Sequence, residues 1–278
     1  MDKLNILRCE DEPIQIPGLV QPIGYFFAVD KEEYKIRYIG ENISEIYTQG
    51  AKDLLDTRIS DLFVDIESII EDFRKKCRKC REIYFEVYAK FCKQKFDLFI
   101  SGYDERYILC EFIPKVSSEY FSDNVYDRVI HNITEEAKDI SKLFKSVVRN
   151  IRDVTKYDRV MLYKFDPDFN GEVIAESKID SLDSYMNLHY PASDIPSQAR
   201  KLYLKNTTRI ICNVNYQPKG VVSYLAEPVD MSLGFLRSVS PIHLEYMKNM
   251  GVYASMTLSI VINDKLWGLI ACHHGQEF

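Results

Sequence analysis

One long amphipathic stretch governs how this sequence can fold. Val129, Ile133, Ala137, Ile140, Phe144, Val147 and Ile151 recur at helical spacing across residues 125–155. That spacing predicts a single long helix with one apolar face. Such a face has to be buried, and the flanking sequence supplies strands to bury it. Before it, residues 19–30 and 34–39 read as strands and Asn42 to Gln49 as a short helix. Ser60 to Lys79 reads as a helix, with Leu62, Ile66, Ile69 and Ile70 at its spacing. Strands follow at Ile83–Ala89, Lys95–Ser101 and Tyr107–Phe112. After the long stretch, Arg159–Phe165 and Gly171–Ser177 read as strands, then a mixed region runs to about Met250. Ser255–Ile262 and Leu266–His273 are joined at Asn263-Asp264, the signature of a hairpin.

The fold class this order implies is α+β in two domains, each a central antiparallel sheet flanked by helices. Residues 1–18 are irregular, punctuated by Pro13, Pro17 and Gly18. Residues 19–120 have the element order of a PAS-type domain, an order that several other small α+β folds share. The order over residues 123–278 resembles that of a GAF domain with a large insertion before its last two strands. A chain of 278 residues, 46% hydrophobic and 28% charged, can bury two such cores. The net charge of -6 gives the surface no general attraction for nucleic acid. No run of ~18 apolar residues predicts a membrane span. The opening MDKLNILRCEDEP lacks the apolar core of a signal peptide, so a cytoplasmic location is expected. Seven cysteines, an odd number, then argue for reduced thiols rather than a disulfide framework.

Five ordered motifs carry a more specific signal. Cys9 to Gly24 reads CEDEPIQIPGLVQPIG, and Asp158 to Phe165 reads DRVMLYKF. Tyr190 to Ala199 reads YPASDIPSQA. Ser240 to Gly251 reads SPIHLEYMKNMG, and Ser255 to His274 reads SMTLSIVINDKLWGLIACHH. Together they resemble the chromophore-binding part of the bacteriophytochromes, over essentially the whole chain. The PASDIP core has a simpler account, a helix start capped by Ser193 or Asp194, and the two accounts are compatible. Ile23 stands where the family usually has histidine.

The resemblance implies a covalently held linear tetrapyrrole. Ile242 occupies the place of the cysteine that plant and cyanobacterial phytochromes use, so Cys9 is the implied attachment point, through a thioether. The implied pigment is biliverdin IXα. Arg209 and Arg237 match the family's propionate-binding arginines, with Tyr203, Ser255 and Thr257 as supporting donors. Asp194 and Ile195 belong to the motif whose backbone carbonyl meets the pyrrole hydrogens, together with a water near His243. Met161, Tyr163 and Tyr190 match the wall around the outer ring, and His273 matches the donor to its carbonyl. The resemblance further implies a figure-of-eight knot, with the N-terminal segment threaded through the GAF insertion. It implies a red/far-red photoreceptor module, not an enzyme, whose partners are PHY and output domains, typically a histidine kinase, of a longer protein. A homodimer is also implied, with no nucleic-acid or membrane partner. The resemblance implies that the last GAF helix would follow residue 278.

Other readings stay open on sequence alone. A non-photochemical GAF sensor for a small ligand would need a phosphate site, for which Arg209 is available, but gives Cys9 no task. An engineered near-infrared fluorescent derivative would usually replace Asp194, which is retained. Cys77-x-x-Cys80 suggests a metal or redox site, yet it lies in the basic run RKKCRKCRE without a second ligand pair. A solvated helix accounts for it more simply. No metal ligand set is expected.

Overall fold

The computed structural model describes residues 12–76, 81–102, 106–115, 133–134 and 139–276. The chain divides into two compact units. One combines residues 13–117 with 216–240, and the other combines 118–215 with 241–278 and the residues up to Glu12. Elements are numbered along the chain.

The first unit is built on a seven-stranded antiparallel sheet of order β1-β11-β3-β2-β6-β5-β4. Its strands are β1 Leu19–Val20, β2 Tyr25–Asp30, β3 Ile36–Gly40, β4 Arg81–Tyr88, β5 Lys95–Ser101, β6 Tyr107–Pro114 and β11 Lys219–Val222. The strand expected over 19–30 is therefore two strands. Pro22, which has no N–H to give a ladder, sits at the break. Alternation then does the sorting. Tyr25, Phe27 and Val29 of β2 enter the core beside Phe63, Phe96 and Phe112. Phe63 stacks on Phe112 at 3.7 Å between ring centres. The only α-helix described in this unit, α1, spans Ile66–Lys76 and buries Ile66, Ile70 and Phe73 on one face. It is shorter than the sequence suggests. Asp65, with φ of 54°, is a left-handed residue that no α-helix runs through, and Leu62 packs from the turn before it.

Residues 216–240 join this unit through a buried charge. Glu111 of β6 is fully buried, and its carboxylate accepts the N–H groups of Phe235 and Leu236, both at 2.7 Å. Charge-assisted bonds of this kind offset the cost of burying a carboxylate. Phe235 also stacks on Phe99 of β5 at 4.2 Å.

The second unit has a six-stranded antiparallel sheet of order β10-β12-β13-β7-β8-β9. These are β7 Arg159–Phe165, β8 Gly171–Lys178, β9 His189–Tyr190, β10 Thr208–Ile211, β12 Ala254–Ile262 and β13 Lys265–His274. Helix α2 covers Ile140–Thr155 only, which corrects the single helix expected over 125–155. Asp139 is extended, with φ of -122° and ψ of 111°, and its carboxylate accepts from the N–H groups of Ser141 and Lys142. It is an N-cap, and a cap ends the helix that the apolar spacing alone would carry through. Residues 125–132 and 135–138 of the expected helix lie outside the described residues. Helices α3, Ser197–Lys205, and α4, Pro241–Asn249, complete the unit. The β12–β13 hairpin turns at Asn263 and Asp264, with φ of 51° and 59°, the left-handed pair that a tight hairpin turn requires.

No described helix is long and apolar enough to cross a membrane. The expected knot depends on residues 1–11, outside the described residues.

Candidate functional site

The sheet of the second unit presents two different faces. Val160 and Leu162 of β7 pack with Ile270 and Cys272 of β13 and with Val148 of α2. The alternate residues, Met161, Tyr163 and Phe165, form a separate cluster with Val173 and Leu269. Cys272 and His273 thus face opposite ways, as neighbours on a strand must. The face away from α2 carries a cavity of about 100 Å³ that is partly open to solvent.

Ten residues singled out from sequence line this one cavity. They are Met161, Tyr163, Tyr190, Asp194, Ile195, Tyr203, His243, Ser255, Thr257 and His273. Four strands and three loop or helix segments bring them together. Met161 and Tyr163 come from β7, Ser255 and Thr257 from β12, His273 from β13 and Tyr190 from β9. Asp194 ends the 3-10 turn Ala192–Asp194, Tyr203 lies on α3 and His243 on α4.

The remaining three stand elsewhere. Arg209 lies on β10, opposite Thr257 in the ladder. It is close enough to His243 to act on its charge. Arg237 belongs to the first unit, where its Nη1 donates to the Ile14 carbonyl at 2.7 Å. Cys9 is outside the described residues.

Sequence reading missed Tyr246, Met247, Met250, Leu269 and Ala271, which also line the cavity. The first three follow His243 at steps of three, four and seven residues, the spacing of one helical face. That signal was present in SPIHLEYMKNMG. Leu269 and Ala271 alternate with His273 along β13, a period-two signal.

The electrostatics favour neutral groups. Burial, then the Arg159 charge, pushes His273 down to about 3. Burial, then Arg209, lowers His243 to about 4. Both are neutral imidazoles at pH 7, each with one donor and one acceptor nitrogen. The buried Nδ1 of His273 meets no hydrogen-bond partner among the described residues. Burial, followed by the Asp194 charge, raises Tyr163 and takes Tyr246 up to about 12. Tyr246 Oη donates to Asp194 Oδ2 at 3.3 Å. The expected cap at Ser193 or Asp194 does not form. Pro196 is the N-cap of α3, with no side-chain cap bond, and the Asp194 carboxylate is left to Tyr246.

Gly171 sets the position of the Tyr163 ring. A Cβ at Gly171 would lie 1.7 Å from Tyr163 Cζ. Gly171→Ala is expected to displace the ring and to cost about 1–3 kcal/mol, the usual price of an overpacked core. Urea unfolding checks this. The same substitution in a Tyr163→Ala background should cost much less, because the colliding ring is gone.

Comparison with known proteins agrees with this architecture. A GAF domain family model matches residues 139–278, and a PAS fold model matches residues 9–114. The chromophore-binding domain of Stigmatella aurantiaca phytochrome P1 superposes with a TM-score of 0.84 at 34% identity, over 97% of this chain and 91% of that one. The chain belongs to the phytochrome family. It is a phytochrome PAS–GAF module by fold as well as by sequence. The chromophore-binding domain of an unusual bacteriophytochrome from R. palustris gives the same TM-score, 0.84, at 32% identity, over 97% of this chain and 90% of that one. Among full-length relatives, cyanobacterial phytochrome B of Nostoc sp. is 36% identical and a bacteriophytochrome of Pseudomonas aeruginosa 37% identical. Each match covers 98% of this chain, and the chain spans about 37% of the length of each relative.

Proposed function

We propose that the cavity of the second unit binds a linear tetrapyrrole, biliverdin IXα, and that the module is the light-sensing part of a red/far-red photoreceptor. One observation supports this reading most: ten residues that match the family's pigment-binding positions, from four strands and three loop or helix segments, line one cavity.

The other residues fit the same group. A tetrapyrrole offers a flat apolar body, ring nitrogens, ring carbonyls and two carboxylates. Met161, Tyr163, Tyr190 and Leu269 supply flat and adaptable walls. His273 supplies the hydrogen-bond partner for a ring carbonyl. Ser255, Thr257 and Tyr203 supply hydroxyls, and Arg209 supplies a cation suited to a carboxylate. The Asp194 turn and His243 bring polar groups toward the ring nitrogens. Cys9 is the attachment thiol. When bound, the pigment supplies absorption of red light and a bond that rotates on excitation. The protein's part is to hold one end, to let Tyr163 and Tyr190 border the other, and to change the partner of the Asp194 carboxylate.

In the longer protein this module would pass that change to PHY and output domains, a histidine kinase among them, and a homodimer would form in the cytoplasm. Catalysis would reside in the output domain. Absorption spectra with biliverdin, before and after red illumination, test the reading. A new red band that bleaches with light is expected. A spectrum identical to that of free biliverdin would end it.

A further inference from the structure

We propose that Arg200 and Asn170 clamp the Ala192–Asp194 turn, holding the Asp194 backbone still while its carboxylate stays free to change partners. This rests on the pigment-binding reading above. Arg200 sits in the first turn of α3, where the helix dipole disfavours a cation. Its contacts offset that placement. Nη1 donates to the Ala192 carbonyl at 3.1 Å and to the Ile195 carbonyl. The guanidinium also lies 4.3 Å from the centre of the Phe169 ring.

Asn170 closes the turn from the other side. Its Oδ1 accepts the Ala192 N–H at 3.2 Å, and its Nδ2 donates to Asp166 Oδ2 at 3.0 Å. Asp166 in turn accepts the backbone N–H groups of Asp168 and Asn170. Phe169, between the two clamp contacts, is held at φ of 65°, a conformation that persists only where the surroundings impose it. The amide and carbonyl of Ala192 and the carbonyl of Ile195 are therefore fixed by side chains from outside the turn. The Asp194 carboxylate is bonded to Tyr246 rather than to Arg200. Arg200 and Asn170 are positioning residues: one group keeps the backbone in register, and another holds the side chain loosely.

The test uses Arg200→Met, which keeps an apolar stem, with Arg200→Lys and Asn170→Ala beside it. In the pigment-free protein, hydrogen exchange at the Ala192 and Asp194 amides should quicken about tenfold in Arg200→Met and Asn170→Ala. Arg200→Lys should restore most of the protection. In the biliverdin-loaded protein, the alkaline midpoint for loss of the red band should fall by about one pH unit, a tenfold loss of proton affinity. Asp194, His243, Tyr246, Tyr163 and His273 are unaltered in all three variants, so such a shift reports backbone position. Unchanged exchange overturns the clamp. So does faster exchange with lower thermal stability but an unmoved band, the result of a merely structural contact. A parent protein with no red band refutes the pigment reading instead, and amide exchange still decides whether the clamp exists.

Discussion

Replacing Cys9 with serine is expected to remove all covalently held pigment while leaving a weaker, non-covalent red band. Only a thiolate attacks readily. Cys110 and Cys272 are fully buried, and burial lifts both thiols, that of Cys272 to about 12. Cys212 is raised for the same reason. None of the three forms a thiolate at neutral pH. Position 242, the attachment point that the family resemblance offers as an alternative, holds isoleucine, which forms no thioether. Cys92 belongs to the first unit. Zinc-induced fluorescence on a denaturing gel measures the outcome, and the band should vanish in Cys9→Ser. A persistent band would mean that another thiol is the attachment point. Cys77 and Cys80, in the basic run RKKCRKCRE, would then be replaced in turn.

The parts of this molecule that sequence revealed are those with a period. Alternation located β7, β12 and β13, and it also separates the two faces of the second sheet. Met161 and Tyr163 line the cavity, whereas Val160 and Leu162 pack toward α2. Asn263-Asp264 disclosed the hairpin because a tight turn needs residues that tolerate left-handed backbone. What escaped has no period. Asp139 starts α2 through one carboxylate and two amides, while the apolar spacing continues on both sides of it. The attachment of residues 216–240 to the first unit hangs on Glu111, more than a hundred residues away in sequence, bonding to backbone groups that any residue carries. Gly171 is needed because a ring 8 residues upstream occupies the space of its missing side chain. Nor could spacing tell that Arg237 bonds to the Ile14 carbonyl. Tyr246 was legible three residues after His243 on the same helical face, but a motif read for its histidine hides the residues beside it.

Asp194→His should separate holding the pigment from switching it. The substitution removes the carboxylate that accepts from Tyr246 and leaves the backbone of the turn to Arg200 and Asn170. Pigment uptake and the red band should therefore survive, since Met161, Tyr163, Tyr190 and His273, which line the same cavity, are unaltered. The photoconverted fraction should fall about tenfold or more, the size expected from losing a hydrogen bond to a charged group. Excitation that no longer leads to a stable product has to leave by another route, so fluorescence should rise. Tyr246→Phe is the graded control. It removes one neutral donor and spares the carboxylate, so photoconversion should drop only by a factor of about three to ten. Both numbers come from one absorbance series under red light and one emission spectrum. Full photoconversion in Asp194→His would place the switch elsewhere in the cavity, and the neutral imidazole of His273, on the strand that lines its far wall, would be the next group to replace.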